Sequence, residues 1–174
     1  MPVLELSLLR LLVPPDSSLL STLSLARSAV ESFSTFPNTF RYLVSPPPSV
    51  GAPPTHIYIF GHWASVAQHF EDWIPSEANR SIMAELKHKV VVEWLVHVEG
   101  GLEGLGLELG MGGLGNGEEK SGEKVRVARY VVKEGERAEV EGLLERLGVT
   151  GRWRVDVEEG ALEELDLMDW NEEF

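Results

Sequence analysis

Apolar and polar positions change period in a regular order along residues 3–98. Residues 3–13 (VLELSLLRLLV) predict a strand ended by Pro14-Pro15, after which Asp16 offers a helix N-cap. Leu19, Leu23, Ala26, Val30 and Phe33 then recur at the 4, 3, 4, 3 spacing of one helical stripe, and Pro37 stops that helix. Residues 39–44 (TFRYLV) read as a second strand, and the proline-rich stretch after them cannot join a ladder. Residues 56–63 (HIYIFGHW) are a third strand. Val66, Phe70 and Trp73 form a further helical stripe, and Pro75-Ser76 restarts a helix with Ile82 and Leu86 inward. Residues 90–98 (VVVEWLVHV) close the unit as a fourth strand. The order is βαββαβ, a ferredoxin-like α+β arrangement with both helices on one face of an antiparallel sheet.

The same order begins again after residue 123. GEKVRVARYVVKEGE is a strand running into a helix start, and Val140, Leu143, Leu144 and Leu147 give that helix an apolar side with Gly148 as its C′ residue. Residues 152–157 (RWRVDV) and 165–170 (LDLMDW) take the places of the second and third strands, so a partial second repeat is expected. Between the two, residues 100–122 hold ten of the chain's seventeen glycines and predict a linker or a lid. The expected organisation is therefore a ferredoxin-like repeat over 1–98, a Gly-rich segment over 99–123, and a partial repeat with an acidic tail over 124–174.

Charge sharpens this division. The 174 residues carry a net charge of -13, and residues 99–174 hold 9 basic against 20 acidic side chains while residues 1–98 hold 6 against 8. Such a surface repels a phosphate backbone or an anionic membrane, so neither nucleic acid nor membrane is an expected partner. The absence of cysteine excludes disulfides, thiolate nucleophiles and iron–sulfur clusters. The apolar N-terminus lacks a basic leader and carries Glu5 and Arg10, which reads as a first strand of a cytoplasmic protein rather than a signal peptide.

Three motifs, Trp63-x-Ser65-x-x-x-His69, Trp73-Ile74-x-Ser76-x-x-Asn79 and Glu93-Trp94-x-x-His97, resemble fungal members of the dimeric α+β barrel superfamily, which includes antibiotic-biosynthesis-monooxygenase-like and stress-responsive barrel proteins. The resemblance covers residues 1–98 well and 124–170 weakly. It implies a homodimer, a barrel holding an apolar or aromatic small molecule, and no cofactor. It also implies activity as a cofactor-independent monooxygenase or cyclase on an aromatic or polyketide-like compound of secondary metabolism. The alternative is a non-catalytic barrel protein acting through protein–protein interaction, with the acidic half as its docking surface.

Strand alternation selects the candidate residues. In residues 90–98 the even positions are apolar and are expected to pack on the helices, which sends Glu93 and His97 to the barrel face. Ile57 and Ile59 take the helix side of the third strand and leave His56, Tyr58, Phe60 and His62 facing the barrel. On the first strand Leu4, Leu6 and Leu8 are expected on the helix side, with Glu5 and Ser7 opposite. His97 or His62 is thus the expected base, Glu93 its electrostatic partner across a bound ligand, and Tyr58 a donor to a developing enolate or phenolate. His56, Phe60 and Leu95 are expected ligand contacts. His69 and Asn79 read as structural hydrogen-bonding residues. No H-x-H or H-E-x-x-H spacing supports a metal site, no Gly-rich phosphate loop follows a strand, and no G-x-S-x-G elbow is present.

Overall fold

A computed structural model describes residues 1–37, 39–100, 125–133, 135–147, 150–156 and 163–170. The predicted Gly-rich linker, the C′ glycine Gly148 and the end of the acidic tail lie outside these residues. The first unit runs β1 (Val3–Leu11), α1 (Ser17–Ser34), β2 (Arg41–Val44), β3 (His56–Trp63), a π-helical segment (Gln68–Trp73), α2 (Glu77–Leu86) and β4 (Val90–Glu99). Its four strands stand in the order β2-β3-β1-β4, all antiparallel, which is the ferredoxin-like adjacency expected from βαββαβ.

Both helices begin as their caps dictate. The Asp16 carboxylate accepts from the Leu19 N–H (2.7 Å) and the Ser76 hydroxyl accepts from the Asn79 N–H (3.1 Å), each satisfying a donor that the first helical turn leaves over. α1 ends with Thr35 in the left-handed region (φ 64°), two residues before Pro37. Leu19 and Leu23 of α1 and Leu86 of α2 bury against Leu9, Ile57 and Val90, so the two helices share one face of the sheet. Each fully buried leucine contributes roughly 2 kcal/mol of apolar burial.

The opposite face of the sheet carries a second cluster of Leu4, Leu6, Phe60, Val96 and Val98, edged by Leu43, Tyr58 and Trp94. This corrects the assignment of faces on two strands. Leu4 and Leu6 point away from the helices, whereas Val3 packs with Val30 of α1, and Glu5 and Ser7 share its side. On β4 the cause is a register shift: Leu9 pairs with Val92 but Leu8 with Trp94, which leaves Glu93 as an extra residue in the ladder. One inserted residue reverses the parity of everything beyond it. Val90 therefore faces the helices while Val96 and Val98 face away, and His97, opposite Glu5, turns to the helix side.

The second unit comprises β5 (Val125–Val132), α3 (Arg137–Leu147), β6 (Thr150–Trp153) and β7 (Glu163–Trp170), with strand order β5-β7-β6. This is the adjacency that β1, β3 and β2 have in the first. Val140 and Leu144 of α3 pack on Val132 and Trp153. Leu143 and Leu147, predicted for the same apolar side, are exposed. Just past β6, Arg154 bridges Val98 of β4, and the Val155 N–H donates to the His97 carbonyl (2.9 Å), so the edge of the first sheet continues into the second unit.

Candidate functional site

The π-helical segment sets the site. The Ile74 N–H donates to the His69 carbonyl (2.9 Å), an i→i+5 bond that widens the turn. The wider turn presents His69 and Trp73 to the sheet, and Phe70, expected in the inner stripe, is 45% exposed. Asn79 bonds the Ile74 carbonyl through its side chain (2.8 Å), the structural role read for it. The His69 ring lies flat between two aromatics: Trp63 at 4.4 Å and 8°, Phe70 at 5.2 Å and 15°.

His69 meets two other buried titratable groups there, His97 and Glu5, and through His97 a third, the half-buried Asp156. Its Nδ1 lies 2.8 Å from His97 Nε2 and 3.6 Å from Glu5 Oε2. Glu5 is anchored by Trp63, whose Nε1–H donates to Oε2 (2.7 Å), and by Ser7, whose hydroxyl donates to Oε1 (3.0 Å). Asp156, from the second unit, receives both the backbone N–H (2.9 Å) and Nδ1 (3.0 Å) of His97 on Oδ2, while Arg154 Nε donates to its Oδ1 (2.6 Å). The result is a continuous polar contact, Glu5–His69–His97–Asp156–Arg154, running from β1 through the π segment and β4 into the second unit.

Burial dominates the electrostatics. It drives the Glu5 carboxyl above its ordinary value, against the hydrogen bond from Trp63, the charge of His97 and the hydrogen bond from Ser7. Burial first, and then the charge of His97, push the His69 imidazole down to about 3, with Asp156 acting the other way. For Asp156 burial alone would raise the carboxyl. The hydrogen bonds from His97 and Arg154, and the charges behind them, outweigh it and hold the group below its usual value.

Of the residues chosen from sequence, His97 alone belongs to this cluster. Glu93 sits at the bulge, where it pairs with Arg10 (2.9 Å) and lies 3.5 Å from His56 Nε2, both partly exposed. The bulge puts Glu93 and His97, expected to face one ligand, in different surroundings, with His97 turned to the helix side. His62 stacks on Phe36 (4.3 Å, 2°), Tyr58 meets Trp94 edge-on at 6.3 Å, and Phe60 is core of the face away from the helices. Register places Leu95 opposite Ser7, on the helix side rather than in a barrel wall with Phe60. The sequence leaves Asp156 unmarked, reads His69 as structural, and places Glu5 on the face of His97 without a role. His69 carries a signal in the Trp63-x-Ser65-x-x-x-His69 motif, and Glu5 in that shared face, which the register of β1 on β4 bears out.

No protein-family model and no curated protein sequence matches the chain. Among solved structures, the fold is similar to a provisionally assigned chlorite dismutase, with a TM-score of 0.50 at 12% identity over 97% of this chain and 78% of that one. A provisionally assigned monooxygenase from Fusobacterium nucleatum subsp. nucleatum gives a TM-score of 0.49 at 10% identity over 96% and 75%. At such identities the first likeness is one of fold: an α+β protein built on antiparallel ferredoxin-like sheets.

Proposed function

We propose that the chain is a small-molecule-binding α+β barrel protein, its barrel built from one full and one partial repeat, that acts on an aromatic or polyketide-like compound by side-chain proton transfer. The reaction class is that of a cofactor-independent monooxygenase or a cyclase. The observation that carries this reading is the buried contact Asp156–His97–His69–Glu5. Buried ionisable groups in direct contact cost more than apolar packing of the same volume, and such groups concentrate where protons are moved.

The bonds define the direction of transfer. Asp156 accepts from His97 at both the backbone N–H and Nδ1, which we assign as Nδ1–H. His97 Nε2 then accepts from His69 Nδ1–H, and His69 Nε2 keeps its lone pair as the open acceptor of the relay, a weak base because burial holds the imidazole at about 3. A proton taken there is stabilised by Glu5 on one side and, through His97, by Asp156 on the other.

The same geometry supports an aromatic ligand. Phe70 covers His69 from the solvent side and lies within 5.1 Å of the His97 ring. A planar ring that takes the place of Phe70 stacks on His69 opposite Trp63. The substrate thus lies at the seam between helices and sheet. The face bearing Tyr58 and Phe60 is already buried within one copy of the chain. Among the described residues the edge strands are β2 and β4 in one sheet and β5 and β6 in the other; β4 meets the chain just past β6, so β2 and β5 are the edges where a homodimer would form.

The test is native mass spectrometry of the chelator-treated protein for a co-purified ligand, followed by turnover of hydroxylated polycyclic aromatics. Wild type is expected to bind and turn them over. His97→Gln is expected to keep the fold and the ligand while losing at least 100-fold in rate. Equal turnover in wild type and His97→Gln, or no binding by either, would sink this reading and favour the protein-docking alternative.

A further inference from the structure

We infer that Glu5 Oε2, His69 Nδ1 and His97 Nε2 form a binding site for a divalent first-row transition ion of the zinc or ferrous class. The three atoms come from β1, the π segment and β4, and all lie within 4.8 Å of one another. Their donor set of two imidazoles and one carboxylate suits zinc and ferrous iron, whereas calcium and magnesium prefer all-oxygen shells. A tetrahedral ion about 2.0–2.1 Å from each nitrogen needs ligand atoms roughly 3.3 Å apart. The His69–Glu5 separation of 3.6 Å is close to that, and the His69–His97 pair at 2.8 Å opens by only about half an ångström.

The surroundings of the cluster point the same way, independently of the three ligands. His97 turns Nε2 into the cluster and gives Nδ1 to Asp156, the carboxylate–histidine arrangement that orients a metal-ligating imidazole. Glu5 is held by Trp63 and Ser7, so its carboxylate is aimed before any ion arrives. A carboxylate buried this deeply is stabilised by a cation beside it. Three protein ligands leave one tetrahedral position for water or substrate. The inference goes beyond the proton-transfer reading and needs no substrate. An ion and the shared proton compete for His69 Nδ1, so the two occupancies exclude one another.

The experiment titrates chelator-stripped full chain with Co²⁺, following visible absorption and calorimetry, with Zn²⁺ as competitor and Ca²⁺ as control. Uptake of one Co²⁺ per chain with tetrahedral d–d bands, displaced by Zn²⁺ and indifferent to millimolar Ca²⁺, is expected. His69→Gln and Glu5→Gln should each weaken binding at least 100-fold. Asp156→Asn, a change at a positioning residue, should weaken it about 10–100-fold with the d–d bands retained. Should the ligand variants fail to fold, Zn²⁺ is still expected to raise the melting temperature of wild type where Ca²⁺ does not. Absent d–d bands at millimolar Co²⁺ in natively folded wild type, undiminished affinity in folded His69→Gln, or no Zn²⁺-specific rise in melting temperature each overturns the inference. Because turnover is measured on metal-free protein, its failure and this one are separate outcomes.

Discussion

At the scale of single residues, His69 makes acid stability a readout of the site. Its folded value of about 3 lies below the ordinary histidine value of 6.5, so the unfolded chain takes up this proton first as pH falls. The contribution of neutral His69 is therefore present above about pH 6.5 and is lost progressively toward pH 3. At about 1.4 kcal/mol per pH unit, the loss reaches roughly 2 kcal/mol between pH 6.5 and 5. Glu5 works in the opposite sense, because its raised carboxyl lets the folded state take a proton first. Urea unfolding of wild type and His69→Gln at pH 7 and pH 5 isolates the histidine: the variant should lose about 2 kcal/mol less on acidification. Equal losses would mean that His69 titrates normally in the fold. Gly61 is a second decisive residue. A Cβ there runs into the buried ring of Phe40, so Gly61→Ala is expected to cost roughly 1–3 kcal/mol, read as a lower melting temperature.

Among the elements, the bulge in β4 and the π segment place the site. On either side of Glu93 the ladder pairs Leu9 with Val92 and Leu8 with Trp94, so removing Glu93 itself leaves a regular ladder with every other partner unchanged. Deletion of Glu93 is accordingly expected to fold, losing only the partly exposed pairings with Arg10 and His56, worth under about 1 kcal/mol. Deletion of Leu95 instead slips the ladder between Trp94 and His97 and turns one side of the strand inside out. That variant is expected to unfold or to lose the His69–His97 contact. Circular dichroism and the histidine ring NMR signals of the two deletions check this, and similar behaviour of both would place the register shift elsewhere.

For the whole molecule, Asp156 joins the two units. Its carboxylate satisfies the His97 backbone N–H and imidazole while pairing with Arg154, next to the Val98–Arg154 bridge and the Val155–His97 hydrogen bond. Asp156→Ala strips three charge-assisted bonds at once and leaves a buried N–H without its acceptor. The expected cost is on the order of 2–4 kcal/mol. Hydrogen exchange should accelerate along β4 from Val96 to Glu99 and in β6, with the β1–β3 ladder unchanged. Uniform acceleration across both sheets would mean instead that the two units unfold as one cooperative body.

Periodicity and caps alone determined the order of elements in the first unit: the α1 stripe from Leu19 to Val30, the Asp16 and Ser76 caps, and the antiparallel βαββαβ order. Each of these is a local property, written in a window of a few turns or one strand. The helix-side placement of Ile57 and Ile59 was legible for the same reason. What the sequence could not express were departures from a regular period and contacts between distant segments. One extra residue at Glu93 reversed the side on which Val96, His97 and Val98 lie, and one i→i+5 turn exchanged Phe70 for His69 on the inner side. Strict alternation and strict 3.6-residue spacing miss both. Glu5, His69, His97 and Asp156 are spread over 152 positions with no motif spacing among them, and only the pairing of β1 with β4 and the docking of the second unit bring them together. The candidate site was therefore a product of tertiary structure, because long-range register, not local pattern, decides which polar side chains share a buried space.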